Sequence, residues 1–255
     1  MIRLMTTTSR SVLVTGGSRG IGAEIARAFA ANGDRVAVHY SASSGLADQV
    51  VASLAGDGHI AVQADLGDPE AIRSMVDQAA GHLGGVDVLV NNAGVFHHHA
   101  IEESSYEEWQ RAWADTLSVN LVGAANVTWC ALQHMPRQSG SRIVNVGSRG
   151  AFRTEPHAPA YGASKAGIAA FGQSLAKALG SQGIAVTTLA PGFVDTEMAA
   201  ASLAEKGDEI RGQSPFNRVP TAAEVAHAVL FLASPEAEWA SGSVLDFNGA
   251  SWFRL

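Results

Sequence analysis

Short, almost wholly apolar runs alternate along the chain with longer Ala-rich stretches in which apolar residues return every three or four positions. The first run, residues 11–15 (SVLVT), shows no polar/apolar alternation, which is the pattern of a strand buried on both faces. It stops at Gly16 and Gly17. Residues 20–31 then place Ile21, Ile25, Ala28 and Phe29 on one helical face, and Asn32-Gly33 closes that helix. Further strands are predicted over 35–40, 59–63, 86–90, 142–146, 184–189 and 243–247. Helices are predicted over 45–54, from Asp68-Pro69-Glu70 onward, and over 159–179. Ser104 and Glu107 have a capping-box spacing at the head of a long helix running to about Met135, and Thr221 with Glu224 caps another that ends near Ser234-Pro235. Residues 194–219 read as irregular, with one short helical stretch. A helix after each strand is the signature of a parallel sheet joined by right-handed crossovers. The expectation is an α/β chain forming one doubly wound, seven-stranded parallel sheet with helices on both faces. It is a single domain over 1–255, with 1–10 as a frayed tail.

Composition narrows the function classes. The 255 residues are 47% hydrophobic and 16% charged, which excludes disordered, collagenous and coiled-coil chains. The net charge is −7 with no basic cluster, so no nucleic-acid partner is expected. The single cysteine, Cys130, makes neither an internal disulfide nor a thiolate cage, and a reducing, cytoplasmic setting follows. No run of 18 apolar residues exists to span a membrane, and residues 1–10 lack the apolar core of a secretory leader.

The segment Thr15-Gly16-Gly17-Ser18-Arg19-Gly20-Ile21-Gly22 lies between the first strand and the first helix. In that position glycines permit a tight turn, close approach of a phosphate, and close helix–strand packing. The helix start offers open amides and the positive end of the helix dipole to a diphosphate. No Lys-Ser/Thr follows, which excludes a triphosphate-binding P-loop. A serine-hydrolase elbow is also absent, because Gly162-Ala163-Ser164-Lys165-Ala166 lacks the closing glycine.

The glycine spacing is Gly-xxx-Gly-x-Gly, and five further motifs occur in order. They are Asn91-Asn92-Ala93-Gly94 after the fourth strand, Asn120 in the long helix, Ser148 thirteen positions before Tyr161, Tyr161-xxx-Lys165, and Pro191-Gly192 after the sixth strand. Over about residues 10–249 the chain therefore resembles the short-chain dehydrogenase/reductase family. The resemblance implies a Rossmann fold and hydride transfer between a nicotinamide and a carbonyl or secondary alcohol. It assigns catalysis to Asn120, Ser148, Tyr161 and Lys165. Tyr161 exchanges a proton with the substrate oxygen, Ser148 holds that oxygen, Lys165 binds the nicotinamide ribose, and Asn120 holds a water that links Lys165 to solvent. It also implies cofactor contacts from Asp65 and Leu66 to adenine, from Asn92, Ala93 and Gly94, and from Pro191, Gly192, Val194 and Thr196.

Chemistry independent of the resemblance points the same way. Tyr161 and Lys165 are four apart on a predicted helix and share a face. A tyrosine titrates near 10, and a neighbouring cation lowers that value. Lowering it to about 7 takes roughly 4 kcal/mol, which Lys165 and a positive nicotinamide together are expected to supply.

Cofactor choice rests on the end of the second strand, where NAD enzymes place Asp or Glu. That position is Tyr40, and no carboxylate lies between Asp34 and Asp48. Arg19 is placed to pair with a 2′-phosphate, with Ser41 and Ser43 adding hydrogen bonds. NADP(H) is the expected cofactor, with NAD(H) possible. No metal is expected: His97-His98-His99 cannot all point one way, and one of them is expected to line the site's mouth. Trp109 and Trp113 read as core or subunit interface, whereas Arg149 and Arg153 are left open between an anionic substrate and the surface. Residues 193–218 resemble a substrate lid whose Phe193, Met198 and Leu203 suggest an apolar pocket. Residues 251–255 are short and apolar, and the resemblance implies a homotetramer.

Within the family the chain is most similar to 3-oxoacyl-[acyl-carrier-protein] reductases and glucose-dehydrogenase-like members. The arginines that dock the acidic carrier protein in the former fall at Ser139 and Gln182, which counts against an acyl carrier protein partner. The expected activity is an NADPH-dependent ketone or 3-oxoacyl reductase on a small molecule. The alternatives are an NAD-dependent sugar or alcohol dehydrogenase and, remotely, a nucleotide-sensing regulator without catalysis, which the presence of both Tyr161 and Lys165 disfavours.

Overall fold

The structure, a computed structural model, describes residues 9–137 and 140–254. Seven strands, β1 (Ser11–Val14), β2 (Arg35–Tyr40), β3 (Ile60–Gln63), β4 (Val88–Asn91), β5 (Arg142–Val146), β6 (Ala185–Pro191) and β7 (Val244–Phe247), form one sheet in the order β3-β2-β1-β4-β5-β6-β7. Every pairing is parallel. Helices α1 (Gly20–Ala31), α2 (Ser44–Ser53), α3 (Pro69–Leu83), α4 (Tyr106–Leu117), α5 (Ala124–Leu132), α6 (Pro159–Leu179), α7 (Glu197–Gly212) and α8 (Ala222–Leu232) complete the chain. None of the described helices is long and apolar enough to cross a membrane.

The continuous apolar runs are explained by burial on both faces. Along β1, Val12 and Val14 join one cluster with Ile25 and Phe29 of α1 and Val229 of α8. Leu13 points the other way, into a cluster with Ile72 and Met75 of α3 and Val127 of α5. The chain leaves β1 toward β2 on one side and continues from β4 on the other. The ends of β1 and β4 therefore flank the crevice where an open parallel sheet binds ligands.

The structure changes three readings of the sequence. The cap of α4 is Ser105 with Glu108, not Ser104 with Glu107. Ser105 Oγ accepts from the Glu108 amide at 3.3 Å, and Glu108 accepts from the Ser105 amide at 2.9 Å. Ser104 is spent in the preceding turn, where its amide binds the Ala100 carbonyl at 3.0 Å. The long helix expected to run to Met135 is interrupted. After Leu117 a wider π-type segment, Ser118–Gly123, intervenes before α5, which ends at Leu132. Within that segment a Cβ on Gly123 would lie 2.6 Å from the Leu66 carbonyl, so the loop after β3 approaches too closely for any other residue. Finally, the stretch read as irregular holds a sixteen-residue helix, α7, kinked at Lys206. Only Gly207 and Ile210 of α7 are buried, so almost no apolar face exists to produce a helical period.

The expected tail divides at its end. Residues 1–8 lie outside the described residues, as do Ser139 and Leu255. Arg10 is anchored instead, 2.7 Å from Asp34 and donating to the Ala233 carbonyl at 2.6 Å.

Candidate active site

Two loops meet at the crevice and are stitched by side chains of the motifs themselves. Thr15 Oγ1 accepts from the amides of Asn92 (3.0 Å) and Ala93 (3.1 Å). Asn92 Nδ2 donates back to the carbonyls of Thr15 (2.9 Å) and Gly16 (3.1 Å). Gly16 has a φ of +63°, and a Cβ on Gly22 would lie 2.1 Å from the Gly16 carbonyl, so glycine is required at both. Arg19 makes no side-chain cap on α1, and no acidic residue lies in its first turn. The opening amides of α1, with Ser18, Gly20 and Ile21 around them, are thus free to face an anion, and this cradle fits a diphosphate.

Other expected contacts gather around the same edge. Thr196, the residue before α7, approaches the position of a Cβ on Gly20 to 3.7 Å. Pro191 ends β6, Gly192 donates to the Phe247 carbonyl at 3.1 Å, and Val194 is buried beyond them. Tyr40 is half-buried at the end of β2, Ser41 and Asp65 are exposed, and Leu66 is buried. Arg19 is exposed but not alone. Glu197, the first residue of α7, lies 3.4 Å from it. Glu197 is remote in sequence from both Arg19 and Tyr40, so no local pattern around the second strand announces it.

On α6, Lys165 Nζ lies 5.7 Å from the centre of the Tyr161 ring. Lys165 is 5% exposed and donates to the Val146 carbonyl at 2.9 Å. A Cβ on Gly94 would lie 3.5 Å from that ammonium, which places the Asn91–Gly94 motif directly beside Lys165. Ser148, just past β5, hydrogen-bonds Tyr161 and also accepts from the Gly150 amide at 3.0 Å. Asn120, in the π-type segment, is buried. Its Oδ1 accepts from the Val95 amide at 2.8 Å, and its Nδ2 donates to the Val95 carbonyl at 3.0 Å and to Ser164 at 3.2 Å. All four expected catalytic residues therefore converge at one end of the sheet.

The protein's own groups set the electrostatics before any nicotinamide is present. Desolvation pushes the Tyr161 phenol up to about 12, against the Ser148 hydrogen bond and with help from the Glu155 charge. Burial pushes the Lys165 ammonium down to about 8. At neutral pH the protein's own groups hold Tyr161 protonated, and Lys165 does not by itself bring the phenol near 7.

The histidine run follows Phe96 on the loop beyond Gly94. Phe96 is the residue that meets Tyr161, edge to face at 5.1 Å. His97 and His98 are exposed, whereas His99 is turned inward, with Nε2 accepting from the Ala160 amide at 3.1 Å and Nδ1 bonded to the His97 carbonyl at 2.7 Å. His99 thus pins the loop after Gly94 to the start of α6, beside Tyr161. Trp109 and Trp113 are half-buried neighbours 5.7 Å apart. Among the described residues no three His, Cys, Asp or Glu side chains are grouped to hold a metal ion.

Arg149 is not a surface charge. It is 4% exposed, lies over Phe193 at 5.1 Å, and donates to Gln213 at 2.8 Å and Ser251 at 2.6 Å. Desolvation lowers its pKa to about 10. Arg153 is exposed. Gln182, at one position considered for carrier-protein docking, accepts from Arg137, so a cation does stand at that surface.

A family model described as short chain dehydrogenase matches residues 10–207. The chain is 34% identical to the 3-oxoacyl-[acyl-carrier-protein] reductase of Staphylococcus aureus over 246 residues, covering 96% of this chain and 98% of that relative. A short chain dehydrogenase from Burkholderia cenocepacia, solved in complex with NADP, superposes with a TM-score of 0.85 at 36% identity, covering 98% of this chain and 99% of the other. The angucycline C-6 ketoreductase LanV, solved with bound NADP, superposes with a TM-score of 0.86 at 32% identity over 95% of each chain.

Proposed function

The chain belongs to the short chain dehydrogenase family, whose members are NAD(P)-dependent oxidoreductases, and from that membership we propose that it is an NADPH-dependent reductase of a ketone or 3-oxoacyl compound. The observation that carries this reading is the convergence of Ser148, Tyr161 and Lys165 beside an uncapped glycine-loop helix. Two similar structures hold NADP, and one is a ketoreductase.

Bound NADPH supplies the hydride. The chain supplies a pocket and a proton. The amides around Gly16, Ser18, Gly20, Ile21 and Gly22 hold the diphosphate, and Arg19 with Tyr40 and Ser41 receives the 2′-phosphate. Asp65 and Leu66 flank adenine. Lys165 would hold the nicotinamide ribose and Thr196 its carboxamide, with Asn92, Ala93, Gly94, Tyr161, Pro191, Gly192 and Val194 making the remaining cofactor contacts. Ser148 orients the substrate oxygen. The Tyr161 O–H then breaks and its proton goes to that oxygen as the carbonyl carbon is reduced, giving a secondary alcohol. The protonated phenol supports the reductive direction. Lys165 stabilises the tyrosinate left behind, and Asn120 holds the water path by which it is reprotonated. Exposed Trp129 and Trp239 support self-association, for which we propose a homotetramer, and the single cysteine supports a cytoplasmic setting.

Fluorescence titration with NADPH and NADH tests the cofactor reading. NADPH is expected to bind at least about tenfold tighter, a difference of about 1.4 kcal/mol. Arg19→Ala is expected to erase that preference by weakening NADPH alone, since a guanidinium–phosphate pair is charge-assisted. Glu197→Gln is expected to tighten NADPH, because it removes the carboxylate beside Arg19. That same carboxylate favours the second reading, an NAD-dependent sugar or alcohol dehydrogenase. Equal or tighter binding of NADH would overturn the NADPH reading and direct the substrate screen to alcohols and sugars with NAD as oxidant.

A further inference from the structure

The role of His39 was not apparent from its place in an apolar strand. Along β2, Val36 and Val38 face one core cluster and Ala37 the other, and His39 follows the parity of Ala37. It is 2% exposed. Both ring nitrogens are engaged. The Gly16 amide donates to Nδ1 at 3.0 Å, and Nε2 lies 3.1 Å from the Ala64 carbonyl. These partners set the tautomer. An amide can only donate, so Nδ1 is the bare nitrogen and Nε2 carries the hydrogen. The backbone reinforces the join, with Gly17 donating to the His39 carbonyl at 2.8 Å and Ala64 to that of Tyr40 at 3.1 Å. Burial lowers the imidazole pKa, in keeping with a neutral ring.

The two groups bridged are the first glycine of the diphosphate loop and the residue before Asp65. They mark the diphosphate and adenine ends of the proposed cofactor site. We propose that His39 is a positioning residue for the dinucleotide: its neutral ring is a crossbar that holds the glycine loop and the Asp65 turn at the spacing the cofactor spans. The inference rests on the cofactor site proposed above. His39 touches only the loops. It contributes equally to NADPH and NADH, in contrast to Arg19, which discriminates between them.

Side-chain geometry supplies a graded test. Asn places an oxygen where Nδ1 sits and keeps an acceptor for Gly16. Gln reaches the Nε2 position and serves Ala64 alone. Leu serves neither. NADPH and NADH are each titrated by fluorescence into wild type, His39→Asn, His39→Gln and His39→Leu, with amide hydrogen exchange at Gly16 and a melting curve for each variant. A severed crossbar predicts weakening of both nucleotides by the same factor of about ten or more in all three variants. Exchange at Gly16 is expected to speed up in His39→Leu and His39→Gln, which lose that amide's partner, and to stay near the wild-type rate in His39→Asn. If His39→Leu does not fold, Asn and Gln decide, since each cuts one end. Wild-type affinity for both nucleotides in His39→Asn or His39→Gln, or in a folded His39→Leu protein, overturns the proposal and leaves the cofactor site standing. Wild type that binds neither nucleotide overturns both.

Discussion

Tyr161→Phe is expected to bind NADPH like the wild type and to lose turnover by between about a hundredfold and ten-thousandfold, the range for removal of a positioned general acid. The ring remains, so the edge contact with Phe96 and the packing beside Lys165 survive. The proton donor alone is removed. Single-turnover oxidation of bound NADPH by any ketone or 3-oxoacyl thioester the wild type reduces gives the readout. Retained turnover with intact binding would rule out Tyr161 as the acid. The phenol's high pKa adds a signature. With the donor held near 12 by the protein, the reductive rate has no reason to fall between pH 6 and 8 through loss of the Tyr161 proton.

Lys165→Met is expected to lower activity by about a thousandfold while making the protein harder to unfold. Lys165 titrates at 10.5 when unfolded and near 8 when folded. At pH 7 both states are protonated, and the folded state bears the full cost of the buried charge, on the order of 3 kcal/mol. Between pH 8 and 10.5 the unfolded chain holds the extra proton, so this penalty is progressively relieved and wild-type stability rises with pH. Met removes the charge and loses the bond to Val146, worth about 1 kcal/mol. The melting temperature at pH 7 should rise by roughly 5 °C, and the gap to wild type should narrow toward pH 10. A variant that melts below wild type at pH 7 would show that the ammonium stabilises the fold.

The strands were legible because burial on both faces leaves continuous apolar runs, and the site because its motifs are local in sequence. What was not legible was contributed by tertiary contacts. Glu197 reaches Arg19 from α7, far along the chain. His39 and His99 look alike in sequence as polar residues near loops, and only packing shows that each serves one backbone amide. The break after Leu117 was hard to see because Ser118–Gly123, though rich in weak helix formers, carries no proline to stop a helix, and the close approach of the Leu66 carbonyl to Gly123 is a tertiary contact. A cation near Tyr161 can be inferred from spacing, whereas the loss of water around Tyr161 and Lys165, which moves both pKa values, cannot.

Arg149 has a wider consequence. One guanidinium joins the loop that carries Ser148, the end of the helix that would form the lid, and Ser251 near the far end of the chain. Any movement of Gln213 away from the crevice therefore uncovers a buried cation whose other hydrogen-bond partner, Ser251, is neutral and whose nearby opposite charge is Glu155. Displacement of residues 213 and 251 is thus felt at the turn that follows Ser148, through one side chain.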